Sequence, residues 1–123
     1  MKTALIIEDN ADNSVLMSRI LEKSGYGTVT AETGRDGYDM ARRTKPDFIL
    51  LDIQLPDMDG TEVLRMLLEA PETRDIPIIS VTSYAMSGDE ERLIAAGCTG
   101  YIEKPIDPMR VIKQIEEILG SRP

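Results

Sequence analysis

The sequence contains no histidine and no tryptophan, and it has a single cysteine, Cys98. One cysteine excludes an internal disulfide framework and any cysteine-rich zinc site. The absence of histidine excludes Ser–His and Cys–His catalysis and every metal site that uses imidazole ligands. Aromatic residues make up only 4% of the chain, which leaves little to sandwich a flat cofactor such as a flavin.

Long hydrophobic runs are also missing, since none approaches the roughly 18–20 residues that a membrane-spanning helix needs. The first apolar run turns acidic at Glu8 and Asp9, which is too early for a secretory signal peptide. Acidic residues outnumber basic ones by 22 to 14, and the formal net charge is −8. Because phosphate contacts need a basic face, this balance argues against nucleic-acid binding. We expect a cytoplasmic protein that binds neither nucleic acid nor membrane.

Five short apolar runs alternate with segments of helical periodicity. The runs cover residues 4–7, 27–31, 48–51, 76–81 and 100–102. Continuous apolar runs are typical of strands covered on both faces, as in a parallel sheet. The 123 residues correspond to one domain by size. The pattern therefore predicts a single α/β domain over residues 1–123, with a five-stranded parallel sheet flanked by five helices.

Polar side chains end four of the predicted strands. Glu8 and Asp9 end the first, Asp52 the third, Thr82 the fourth and Lys104 the fifth. Ligands of open α/β sheets bind beyond the carboxyl ends of the strands, where the strand order reverses. With strand order 2-1-3-4-5, the first and third strands are neighbours and their three carboxylates share one pocket. Thr82 and Lys104 then line the next two strand ends.

This combination of side chains suits phosphoryl transfer. Three carboxylates at one rim repel each other, and a hard cation such as Mg²⁺ relieves the repulsion. A lysine and a hydroxyl group nearby supply charge neutralisation and positioning. Asp52 is the natural nucleophile, and its carboxylate would form an acyl phosphate.

Four segments resemble the response-regulator receiver domain, the phosphoacceptor half of two-component signalling. They are IIEDN at residues 6–10, LLDIQLPDMDG at 50–60, VTS at 81–83 and KP at 104–105. The resemblance runs from Lys2 to about Leu119 and implies a flavodoxin-like, doubly wound fold. The strand order 2-1-3-4-5 is the one already known for chemotaxis receivers.

The resemblance implies a role for each matching residue of the pocket. Asp52 would carry the phosphoryl group. Asp9 and Asp52 would bind Mg²⁺ directly, Glu8 mainly through water, and Gln54 through its backbone carbonyl. Lys104 would bind a phosphoryl oxygen.

Further implied features concern the switch and the lifetime of the acyl phosphate. Thr82 would move to hydrogen-bond the phosphoryl group, and Tyr101 would swing inward in step. A cis peptide is expected before Pro105. Gln54 and Tyr84 would tune the rate of hydrolysis. The chain departs from the family at residue 83, where a serine replaces the usual alanine or glycine.

The resemblance also implies partners. A sensor histidine kinase or phosphotransfer protein would donate the phosphoryl group. A downstream protein would then bind the face formed by the fourth helix, fifth strand and fifth helix. The protein would be no enzyme beyond catalysing its own phosphotransfer and slow dephosphorylation. We expect no output domain, because only about four residues follow the last predicted helix, and we expect a monomer or weak dimer.

Two alternative functions follow from other features. Asp57, Asp59, Gly60 and Thr61 match the Asp-x-Asp-Gly-Thr nucleophile motif of haloacid-dehalogenase-type phosphatases. That motif needs its first aspartate directly at a strand end, and here the strand ends near Asp52. A flavin-binding module on the same topology is the other alternative, and the low aromatic content argues against it.

Overall fold

The computed structural model describes residues 2–83 and 89–120 of the chain, in which strands and helices alternate. The strands are β1 (Thr3–Ile7), β2 (Gly27–Ala31), β3 (Phe48–Asp52), β4 (Ile78–Thr82) and β5 (Gly100–Glu103). The helices are α1 (Ala11–Lys23), α2 (Gly34–Thr44), α3 (Gly60–Glu69), α4 (Asp89–Ala95) and α5 (Val111–Gly120). No helix within those ranges has the length and apolar character needed to cross a membrane.

The five strands form one parallel sheet in the order β2-β1-β3-β4-β5. Ile7 of β1 lies beside Leu51 of β3, and Asp52 of β3 lies beside Val81 of β4. The predicted fold class and strand order are therefore confirmed. Because β1 and β3 are neighbours, the residues that follow them meet at the same edge of the sheet.

Two apolar layers cover the two faces of the sheet. Alternate residues of a strand point to opposite faces, so Leu5 and Ile7 pack in one layer while Ala4 and Ile6 pack in the other. Helices α2, α3 and α4 contribute to the first layer, and α1 and α5 contribute to the second. Each fully buried leucine, isoleucine or phenylalanine stabilises the fold by about 1.5–3 kcal/mol.

Strand β4 begins later than the sequence predicts. The apolar run starts at Ile76, but the strand starts at Ile78. Pro77 has no N–H to donate to a neighbouring strand, although its carbonyl accepts a hydrogen bond from the Ile49 amide at 2.9 Å. Strand β3 ends at Asp52, as the sequence predicts.

The turn from β1 into α1 is held by a helix cap. Asn10 is the N-cap of α1, and its side-chain oxygen accepts a hydrogen bond from the Asn13 amide at 3.0 Å. Satisfying an orphan N–H in this way fixes the start of a helix. The cap therefore orients the short segment that carries Glu8 and Asp9.

Candidate functional site

Three carboxylates meet at the carboxyl edge of the sheet. Glu8, Asp9 and Asp52 each offer one oxygen, and these oxygens lie within 4.8 Å of one another. The backbone amide of Glu8 donates to the Ala31 carbonyl at 2.9 Å, which continues the β1–β2 pairing by one residue. The Glu8 and Asp52 residues are only 7% and 3% exposed, whereas Asp9 is exposed to solvent. The structure thus brings together the carboxylates that the sequence predicts for one pocket.

Lys104 reaches into this cluster from the end of β5. Its Nζ lies 3.0 Å from Glu8 Oε1 and 3.3 Å from Asp52 Oδ2. Its backbone amide donates to the Thr82 carbonyl at 2.8 Å, so β4 and β5 stay paired up to the site. The Lys104–Pro105 peptide bond is cis, as the resemblance implies.

The Asp52 carboxylate is held at both of its oxygens. The Gln54 amide donates to Oδ1 at 3.0 Å, while Lys104 lies on the Oδ2 side. Helix α3 approaches this point closely because it begins with Gly60, where a Cβ atom would stand 2.4 Å from the Ile53 Cα. Only glycine permits that approach.

Burial and pairing shift the pKa values of the two groups that face Asp52. Burial raises the pKa of Glu8, and its hydrogen bond with Asp52 raises it further, whereas Lys104 opposes the change. For Lys104, burial alone would lower the pKa. Hydrogen bonding and ion pairing with Glu8 and Asp52 outweigh burial and raise it. The lysine therefore stays charged beside the carboxylates.

The chemistry of these donors fits a hard divalent cation. Oxygen ligands and one solvent-facing side are what Mg²⁺ uses, since it retains several waters. Both Glu8 oxygens already have protein partners. Oε1 contacts Lys104, and Oε2 accepts a hydrogen bond from the Asn10 amide at 3.3 Å. Asp9 is exposed to solvent, so it is the carboxylate most open to an ion that keeps several waters.

The two predicted switch residues lie on the neighbouring strands. Thr82 ends β4 and is 3% exposed. Tyr101 is a half-buried residue of β5 and lies beside Ser80 in the sheet register. Tyr84, the second residue predicted to tune hydrolysis, lies outside the described residues.

One contact at the site was not predicted from the sequence. The Ser83 hydroxyl donates to Gln54 Oε1 at 3.0 Å. The strand register of the structure explains the contact, because Gln54 and Ser83 each lie two residues beyond the Asp52–Val81 pair.

Asp57 has a structural role that the sequence did not reveal. Its two carboxylate oxygens accept hydrogen bonds from the Gly34 amide at 2.8 Å and the Arg35 amide at 3.0 Å. These are the first two N–H groups of α2. The hydrogen bond from Gly34 is the main cause that lowers the pKa of Asp57. A carboxylate committed to a helix N-terminus is poorly suited to act as the nucleophile of the alternative phosphatase.

Similarity to known proteins covers nearly the whole chain. A family model described as the response regulator receiver domain matches residues 4–116. The chain is 46% identical over 120 residues to the polar-differentiation response regulator DivK of Brucella anthropi, and the match covers 98% of both chains.

Solved structures show the same fold. The chemotaxis response regulator CheY4 of Vibrio cholerae superposes with a TM-score of 0.90 at 25% identity, covering 96% of this chain and 98% of that one. The receiver domain of a sensor histidine kinase from Pseudomonas aeruginosa PAO1, which has a magnesium ion in its active-site cleft, gives a TM-score of 0.87 at 30% identity. That match covers 98% of each chain.

Proposed function

The chain belongs to the response regulator receiver family, and from that premise we propose that it is a phosphorylation-activated switch with Asp52 as acceptor. Receiver domains are signalling proteins rather than conventional enzymes, and they interact with histidine kinases and downstream targets. The observation that carries the proposal is the buried Asp52 carboxylate, contacted by Lys104 and crowded by Glu8 and Asp9. Family membership and the engagement of Asp57 favour this function over the phosphatase and flavin alternatives.

In the proposed reaction, a phosphohistidine of a kinase or phosphotransfer protein approaches Asp52. A bond forms between an Asp52 carboxylate oxygen and phosphorus. The phosphorus–nitrogen bond breaks, and its electron pair stays on the donor imidazole. The transferring group brings negatively charged oxygens beside Lys104, whose Nζ lies 3.3 Å from Asp52 Oδ2. A preorganised cation of this kind stabilises the transition state.

We assign the metal to the carboxylate cluster. Asp9, Asp52 and the Gln54 backbone carbonyl would hold Mg²⁺ directly, and Glu8 would act through water. The solvent exposure of Asp9 supports its direct role, because Mg²⁺ keeps several waters when it binds. When bound, the ion supplies charge neutralisation for the acceptor and the phosphoryl oxygens.

The proposed output is a change of surface. A phosphoryl group on Asp52 attracts the Thr82 hydroxyl, and Tyr101 follows from β5. The hydrogen bond from the Lys104 amide to the Thr82 carbonyl offers a direct link between these strands. The face formed by α4, β5 and α5 would then bind a downstream protein. We further propose that residues 1–123 act as one receiver unit in the cytoplasm, as a monomer or weak dimer.

The test is incubation with Mg²⁺ and acetyl phosphate, followed by intact-mass measurement. The wild type should gain the mass of one phosphoryl group, and Asp52→Asn should gain none. Asp57→Asn is the matched control, because it changes an aspartate of the same loop and should still be modified. Modification of Asp52→Asn, or loss of modification in Asp57→Asn alone, would contradict the assignment.

A further inference from the structure

A hydrogen bond spans the mouth of the acceptor pocket, between the loops that follow β3 and β4. Ser83 Oγ donates to Gln54 Oε1 at 3.0 Å. The sheet register produces this contact, since Asp52 lies beside Val81 and the Ile53 amide donates to the Val81 carbonyl at 3.2 Å. Two residues further along each chain, the side chains of Gln54 and Ser83 meet.

The contact contributes little to the stability of the fold, because both residues are exposed and water competes for both groups. It does fix the orientation of Gln54. The Gln54 backbone amide is bound to Asp52 Oδ1, and the side-chain carbonyl is bound to Ser83. Gln54 is therefore held beside the acceptor carboxylate through both its backbone and its side chain.

Ser83 also lines the approach to the pocket. A groove of about 310 Å³ opens beside Lys104, and its walls include Ser83, Asn13 and Pro105. Water that attacks an acyl phosphate on Asp52 must enter from the solvent side, where Gln54 and Ser83 lie. The Gln54 carbonyl oxygen can accept two hydrogen bonds, and the Ser83 hydroxyl uses one of them, which leaves one for such a water.

We propose that Ser83 is a positioning residue that prolongs the acyl phosphate by engaging the Gln54 carbonyl and so limiting its hydrogen bonding to the attacking water. The inference rests on the proposed function of Asp52. In the hydrolysis step, a water oxygen forms a bond to phosphorus. The bond from phosphorus to the Asp52 oxygen breaks, and its electron pair stays on the carboxylate. The water loses a proton to solvent, and inorganic phosphate leaves.

The experiment measures decay of the phosphorylated protein by intact mass after the phosphodonor is removed, in the presence of Mg²⁺. Ser83→Ala should decay about two- to tenfold faster, which is the rate change expected for one hydrogen bond. Ser83→Thr retains the hydroxyl and should restore slow decay. In a Gln54→Met background, Ser83→Ala should have no further effect, because the two residues act as one unit.

Incorporation from acetyl phosphate is timed in parallel. An equal rise in incorporation and decay in Ser83→Ala would mean wider access to the pocket, and it would overturn the positioning role. Unchanged decay would overturn it too, as would additive effects of the two substitutions. If the wild type takes up no phosphoryl group, the proposed function fails as well, which distinguishes that outcome from a failure of the inference alone.

A second measurement tests the contact without phosphorylation. The side-chain amide of Gln54 gives separate NMR signals, which should shift in Ser83→Ala and return toward their original position in Ser83→Thr. If the Gln54 signals are identical in all three proteins, the hydrogen bond does not form in solution and the inference is wrong.

Discussion

At the scale of single residues, we expect the negative charge of Asp52 to lower the free energy of unfolding, although the proposed phosphoryl transfer requires that charge. The side chain is almost fully buried and lies within 4.8 Å of carboxylate oxygens from Glu8 and Asp9. Asp52→Asn removes one negative charge, and its carbonyl can still accept the hydrogen bond from the Gln54 amide. We expect the variant to be more stable by about 1 kcal/mol without divalent cations, the order expected from relief of one like-charge contact. Urea denaturation in the presence of a chelator measures this change.

Asp9→Asn is the control for that prediction. Asp9 belongs to the same cluster but is exposed to solvent, so its charge is better screened and its removal should stabilise the fold less. A destabilised Asp52→Asn protein would contradict the argument. It would mean that the ion pair with Lys104 contributes more than carboxylate repulsion costs.

The sequence predicts the positions of some residues of the site but not the contacts of others. Glu8, Asp52 and Lys104 each follow or end an apolar run, and strand order alone brings such positions to one edge. The contact between Ser83 and Gln54 depends on register and on side-chain rotamers, which a hydrophobic pattern does not specify. The participation of Asp57 in capping α2 could not be predicted either, because a hydrophobic pattern does not specify how the loop that carries Asp57 lies against the start of α2.

At the scale of elements, Asp57 stabilises the N-terminus of α2. Thr33 caps the Asp36 amide, and Asp57 binds the amides of Gly34 and Arg35. We expect Asp57→Ala to lose about 0.5–1 kcal/mol, a value at the low end for helix caps because the carboxylate is solvent-exposed. Equilibrium denaturation at pH 7 gives this difference.

The pH dependence of that difference provides a second check. Hydrogen bonding holds the pKa of Asp57 below its ordinary value of 3.8. The stabilisation that the Asp57 carboxylate provides is therefore fully present above that pH. It should disappear as the pH falls through the lower pKa of the folded state. Asp39→Ala, on the exposed surface of α2, serves as control. A difference between wild type and Asp57→Ala that persists at the lowest pH would contradict the charge-based explanation.

The start of α3 is a second place where an element depends on one residue. A Cβ atom on Gly60 would meet the Ile53 Cα at 2.4 Å and the Asp52 carbonyl oxygen at 2.9 Å. These are backbone atoms, so Gly60→Ala must move α3 or the end of β3. We expect a loss of about 1–3 kcal/mol, measured by urea denaturation.

Gly120→Ala is the matched control for Gly60, because a Cβ atom there would meet nothing within 4 Å. Its free energy of unfolding should stay close to that of the wild type. Equal losses in both variants would mean that steric contact with β3 is not the cause.

Elements of this fold are easier to predict than their ends. A buried parallel strand is an apolar run, and a helix that covers it has apolar residues at helical spacing, so both can be recognised from the sequence. Ile76 belongs to the apolar run but not to the strand, because Pro77 cannot donate to the ladder. Hydrogen bonding, rather than hydrophobicity, sets that boundary.

At the scale of the whole molecule, the formal net charge of −8 affects any experiment with divalent cations. General screening by salt weakens repulsion among surface carboxylates and stabilises a strongly acidic protein without a specific site. A binding ion acts differently, because it stabilises the folded state in proportion to the logarithm of its concentration above its dissociation constant. The two effects must be separated before any stabilisation is attributed to the carboxylate cluster.

We therefore expect Mg²⁺ to raise the melting temperature well beyond what NaCl achieves at the same ionic strength. At a concentration about 100-fold above its dissociation constant, the gain should be about 2.7 kcal/mol. Asp9→Asn removes a proposed ligand that is exposed, so it should retain the NaCl effect and lose most of the Mg²⁺ effect. Asp47→Asn changes the global charge equally, and it should retain both effects because Asp47 precedes β3 while Asp52 lies at the other end of that strand. Equal stabilisation by the two salts would mean that Mg²⁺ acts only through screening, and the cluster of Glu8, Asp9 and Asp52 would then have no role as a metal site.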